Sequence, residues 1–182
     1  PLVDESAASA ALGSAVESLS RARDTARVLM VSGKGWGAIE RGFRETYARA
    51  RRDLRRAQRS SGAEHLHEFR KHEKRHLYQL SLFEKAWPRL IRAERKELDK
   101  LGELLGDHHD LCLLLPELER RGLARLDLGP LVKLTEQRML ELEKRIGFRG
   151  KRLFSESPKR RVERFAGYYA ASKLRPKKSK PR

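Results

Sequence analysis

Apolar positions recur at helical spacing along nearly the whole chain, and no segment shows the period-two alternation of a half-buried strand. From about Glu5 to Met30 they fall at Ala8, Leu12, Ala15, Val16, Leu19, Ala22, Ala26 and Leu29. Ser32-Gly33-Lys34-Gly35-Trp36-Gly37 interrupts the pattern. Glycines around a lysine suggest a phosphate loop, but no strand precedes them and the Lys-Ser/Thr ending is missing, so a helix–helix turn is predicted. A second helix is expected from about Trp36 to Arg59 with Ile39, Phe43, Tyr47 and Leu54 inward. A third follows Ser61-Gly62, buries Leu66, Phe69, Leu77 and Leu80, and ends near Trp87, because Pro88 disfavours helix at the residue before it.

Pro88 suits the first turn of the next helix, whose apolar positions include Leu90, Ile91, Leu98, Leu101, Leu104 and Leu105. That helix is expected to bend or restart at Gly106, with Pro116 opening a further turn that closes at Gly122. Pro130 begins another, with Leu131, Leu134, Met139, Leu142 and Ile146 at helical spacing, and Ser157-Pro158 caps a last one through about Ser172. The fold class predicted is all-α: an antiparallel helical bundle over residues 1–173, followed by a basic tail, 174–182, too polar to fold alone.

Composition narrows the class of partner. The 182 residues carry 42 Lys and Arg against 25 Asp and Glu, a net charge of +17. Such an excess points to nucleic acid, an anionic surface or another polyanion. The single cysteine, Cys112, leaves no internal disulfide and fits a reducing compartment. No apolar run approaches the roughly 20 residues of a membrane span, and a cytoplasmic location is expected.

The third helix gathers this charge. His67, Arg70, Lys71, Lys74 and Tyr78 fall on one stripe, with Arg75 at its margin and no carboxylate within it to neutralise it. Like charges at i,i+4 repel by a few tenths of a kcal/mol per pair, a cost a bound anion would offset. A solvated basic face is the plain alternative. The helix before it adds Arg44, Arg49, Arg51, Arg52, Arg55, Arg56 and Arg59, of which Arg51 and Arg55 are expected to join the stripe.

Catalytic readings fare worse. His72-Glu73-Lys74-Arg75-His76 matches the His-Glu-x-x-His pattern of zinc hydrolases. Lys and Arg between the imidazoles make a hostile field for a dication, and Glu97 is a third ligand by distance only. In Asp107-His108-His109-Asp110 the adjacent histidines point about 100° apart, so helix-capping Asp and surface His are expected. Cys112, inside an apolar run, reads as a buried small hydrophobe. No cofactor is implied. Base reading leans on Asn and Gln or on stacked aromatics. The chain has no Asn and only Gln58, Gln79 and Gln137, so a polyanion without bases suits it better than a sequence-read duplex.

His67-Glu68-Phe69-Arg70-Lys71 followed by Lys74-Arg75 resembles the signature of the conserved-histidine α-helical domain, the CHAD family. Gly42 to Arg51 resembles the family's preceding Gly-Leu-x-x-x-Tyr-x-x-x-Arg stretch, and Leu104 to Leu111 its Leu-Gly-Asp-x-x-Asp-Leu stretch. Arg152-Leu153-Phe154 with Ser157-Pro158-Lys159 resembles the closing segment. The resemblance implies two pseudo-symmetric helical bundles, inorganic polyphosphate bound in a basic channel between them, and no catalysis. It makes His67, Arg70, Lys74 and Arg75 the motif cations and adds Tyr47, Arg51 and Lys159 as binding candidates.

A whole family member carries the His-x-x-Arg helix twice, and this chain carries it once, matching the middle and C-terminal part. With Pro1 rather than Met at its start, it is expected to be a fragment that associates with its own N-terminal half, or a half-domain completed by a second copy. Nonspecific nucleic-acid binding stands as the alternative function, and a zinc hydrolase through His72 and His76 as a third.

Overall fold

The computed structural model describes residues 5–28, 33–59, 63–121 and 128–174. Among these it forms six helices and no strand: α1 (Glu5–Val28), α2 (Trp36–Arg59), α3 (Ala63–Ser81), α4 (Pro88–Arg120), α5 (Gly129–Leu153) and α6 (Pro158–Lys173). The all-α bundle expected from the hydrophobic periodicity is therefore present. The helix start at Ser61-Gly62, the break at Gly122 and the tail after Leu174 lie outside the described residues. No helix among the described residues is long and apolar enough to cross a membrane.

The chain divides into two units, residues 1–38 and 39–182. In the first, α1 carries Leu12, Val16 and Leu19 along one solvent-exposed stripe. Gly33 and Gly35, just before α2, have φ of +94° and +63°, values L side chains rarely adopt.

The second unit holds the core. One face of α2 buries Phe43, Tyr47, Ala50 and Leu54, and α3 meets it with Leu66, Phe69, Leu77 and Leu80. The long α4 packs along both α3 and α5. It contributes Ile91, Leu98, Leu101, Leu104 and Leu105, while Leu142 and Ile146 come from α5 and Val162 and Phe165 from α6. Phe43, Phe83 and Phe165 form an aromatic triangle with ring centroids 4.8–5.1 Å apart. Gly150 of α5 sits so close to α2 that a Cβ there would lie 2.9 Å from Leu54 Cδ1. Ser157 caps α6 by accepting from the Arg160 amide at 3.3 Å.

Several boundaries differ from those the sequence predicts. α3 ends at Ser81 and not near Trp87. The amides of Leu82, Phe83, Glu84 and Ala86 each donate to the carbonyl three residues back, at 2.8–3.2 Å, which tightens the chain into turns. The cause is Phe83, only 1% exposed, which leaves the helical register to reach Phe43 and Phe165. α4 neither bends nor restarts at Gly106, and it runs through Pro116 to Arg120. Glycine inside a helix costs about 1 kcal/mol relative to Ala, less than the burial of Leu98, Leu101, Leu104, Leu105 and His108 in one register provides. Pro116 lies near the C-terminal end, where losing one backbone hydrogen bond is tolerated. On α5, Leu134 is exposed and Thr135 takes the buried position beside it.

Candidate anion-binding groove

The basic stripe of α3 lies along its seam with α4. Arg70, Lys74 and Tyr78 line an open groove of about 670 Å³ whose other wall comes from α4. The two helices approach closely here: a Cβ on Gly102 would lie 3.4 Å from Glu73 Oε2, and one on Gly106 would lie 4.0 Å from Arg70 Nη2, both ordinary contact distances. His67 lines an adjoining recess of about 290 Å³ with His108, His109 and Cys112. The rings of His67 and His109 are 5.0 Å apart. His109 was not among the expected binding residues; it stands on a different helix from His67, and no local pattern links the two.

Arg70 Nε and His67 Nδ1 are buried and have no hydrogen-bonding partner. A guanidinium nitrogen is a permanent donor, and a buried unmet donor costs about 1–3 kcal/mol. Arg70 and Lys74 form no ion pair within 4.0 Å among the described residues, whereas Lys71 reaches Glu68 at 2.8 Å. That contact holds the Glu68 carboxyl below its usual range and corrects the expectation of a stripe without carboxylates. Arg75 is exposed on the outer side of α3.

The remaining candidates lie elsewhere. Tyr47 is fully buried and stacks on Phe154, its hydroxyl donating to the Glu156 carbonyl at 3.3 Å; burial pushes that hydroxyl up to about 12. Arg51 does not join the stripe: its Nε donates to the Phe154 carbonyl at 3.0 Å and its Nη2 to the Ser155 carbonyl at 3.3 Å, satisfying groups just past the end of α5. Arg55 is exposed on α2, and Lys159 is exposed on the first turn of α6, 3.9 Å from Glu163. Of the binding residues expected from the sequence, only His67, Arg70, Lys74 and Tyr78 share the α3–α4 seam.

The residues of the His-Glu-x-x-His pattern face three different partners. His72 Nδ1 lies 2.8 Å from Asp53 Oδ2 and 3.1 Å from the Glu68 carbonyl; both are acceptors, so that nitrogen carries the proton. His76 Nε2 accepts from Arg161 Nη2 at 2.9 Å, leaving its lone pair engaged. Burial, helped by Arg161, holds His76 well below the usual imidazole range. Glu73 turns towards Gly102, and Glu97 pairs with Lys100 and Arg149. Among the described residues no three His, Cys, Asp or Glu converge on a metal position.

His108 is not at a helix cap on the surface: it is 2% exposed within α4. Its Nδ1 lies 3.6 Å from Cys112 Sγ, and its Nε2 lies 3.3 Å from Glu143 Oε1. The order resembles a nucleophile, a base and an orienting acid. However, burial and the Glu143 charge push the Cys112 thiol up, so it is held in its less nucleophilic form. Cys112 itself is half-buried and not a fully enclosed hydrophobe.

No curated protein and no solved structure matches the chain. A family model described as CHAD domain matches residues 2–119, which includes α2, α3 and nearly all of α4 together with the segment before them. The match begins well before Gly42, where the sequence motifs start, and stops short of the Lys159 segment. On that match, this chain belongs to the CHAD domain family.

Proposed function

We propose that the protein is a non-catalytic module that binds inorganic polyphosphate along the α3–α4 seam, through His67, Arg70 and Lys74 with Tyr78 at the far end. Family membership supports a polyphosphate-related role. The observation that carries the site is Arg70: a permanent cation with a buried, unmet Nε, held beside an open groove. A phosphate oxygen supplies the missing acceptor, and a charge-assisted hydrogen bond of this kind is worth about 1.5–3 kcal/mol. A repeating polyanion extends the same contact to Lys74 one turn along and to His67 one turn back.

The test is a titration with long-chain polyphosphate and, separately, with duplex DNA at matched salt. Polyphosphate is expected to bind more tightly, with affinity falling steeply as salt rises. Arg70→Glu with Lys74→Glu is expected to weaken it at least a hundredfold while the helical circular dichroism is unchanged. Equal affinity in that variant removes the proposed site, and tighter binding of DNA favours the nucleic-acid reading.

A further inference from the structure

The wall facing Arg70 and Lys74 is acidic. Asp99, Glu103, Asp107 and Asp110 of α4 all line the groove, at successive steps of four, four and three residues. None of them forms an ion pair within 4.0 Å with Arg70 or Lys74, so the two walls do not neutralise each other by direct contact. Beneath them lies Glu73, 0% exposed, also lining the groove, with neither carboxylate oxygen hydrogen-bonded. A bare polyanion meets the cations of α3 but is repelled by α4, and a purely cationic ligand meets the reverse. Neither chemistry satisfies both walls.

We infer that the groove takes polyphosphate as its divalent-cation chelate, with α3 cations on phosphate oxygens and α4 carboxylates completing the coordination of the cation. This rests on the polyphosphate reading above. Magnesium suits the geometry because it keeps several waters and is commonly held by one or two carboxylates together with substrate phosphates. Since no three protein ligands converge among the described residues, the cation arrives with the phosphate chain rather than occupying a site of its own. The exposed carboxylates then act through one or two ligands at a time along the chain. Glu73, buried between the walls, gains a hydrogen-bonding partner when the cation's bound water enters the groove.

The test compares long-chain polyphosphate binding in Mg²⁺ and in EDTA, with ionic strength balanced by sodium. Mg²⁺ is expected to raise wild-type affinity about tenfold, which corresponds to about 1.4 kcal/mol. Mg²⁺ titrated without polyphosphate is expected to give no saturable signal. In Asp99→Asn/Glu103→Gln/Asp107→Asn/Asp110→Asn the Mg²⁺ enhancement is expected to vanish and the EDTA affinity to rise, because the repulsion is gone. Single variants Glu103→Gln and Asp107→Asn, each expected to lose part of the enhancement, keep the test open if the quadruple variant does not fold. Mg²⁺ weakening wild type and variants alike, as simple competition does, overturns the inference while leaving polyphosphate binding intact. Absence of binding in both buffers overturns the polyphosphate reading itself.

Discussion

Arg161 Nη2 donates to His76 Nε2 at 2.9 Å inside the core, joining α6 to the centre of α3. The same guanidinium pairs with Glu94 of α4, lies 3.7 Å from Glu156, and sits over the Phe165 ring at 4.6 Å. A buried cation is tolerated only when paired and hydrogen-bonded, and here three helices and the turn before α6 supply the partners. The contact also explains why His76 serves architecture: its acceptor nitrogen is already in use.

Arg161 is 2% exposed, so removing it strands Glu94 and the His76 acceptor. Arg161→Ala is expected to cost about 3–5 kcal/mol, the range for breaking one partner out of a buried ion pair. Urea denaturation checks this. A loss below about 1 kcal/mol, as at an exposed pair, shows that the network is not holding α6 in place.

Glu73 gives a pH signature. Burial pushes its carboxyl from 4.5 up to about 8, with Asp99 adding to the rise and Lys74 and Arg70 opposing it. The folded state therefore holds a proton that the unfolded chain has already released between those values, and folding stability falls as pH rises from about 5 to 8. Glu73→Gln keeps the shape and removes the titration. It is expected to flatten this slope and to stabilise the protein at pH 8 by on the order of 2–4 kcal/mol, because each tenfold change in proton affinity is worth about 1.4 kcal/mol and relaxation of the groove takes back part of the total. Parallel wild-type and variant profiles across that range contradict the assignment.

Gly150 is a contact requirement. A methyl group there meets Leu54 Cδ1 at 2.9 Å and Cδ2 at 3.0 Å. Gly150→Ala gains helix propensity but overpacks the α2–α5 interface, and a net loss of about 1–3 kcal/mol is expected. Adding Leu54→Val makes room and is expected to recover part of it. If Gly150→Ala alone raises the melting temperature, the two helices separate more easily than this packing implies.

Arg51 separates structural from binding cations. Its donors are committed to the Phe154 and Ser155 carbonyls, so Arg51→Met is expected to cost about 1 kcal/mol of stability. Polyphosphate affinity is expected to change less than threefold, whereas Arg70→Met loses tenfold or more. A binding loss for Arg51→Met as large as for Arg70→Met would place Arg51 at the site after all.

The helices themselves were legible in the sequence, because their causes are local. The 3.6-residue recurrence of apolar side chains placed the bounds of α2 at Trp36 and Arg59, and Ser157-Pro158 marked the start of α6. The cationic stripe on α3 was equally visible, since residues three and four apart share a face whatever surrounds them. What tertiary structure decided was every relationship between helices. Phe83 ended α3 early by packing against Phe43 and Phe165, and one continuous buried register carried α4 through Gly106 and Pro116. Rotation of α2 sent Arg51 to the end of α5, away from the stripe it was expected to join, and Tyr47 into the core. The acids of α4 were plain in the sequence, yet only the packing of α4 along α3 brings them opposite Arg70 and Lys74. A helix's period fixes which residues share its face; which neighbour that face meets depends on packing between residues distant in the chain, and no local pattern encodes it.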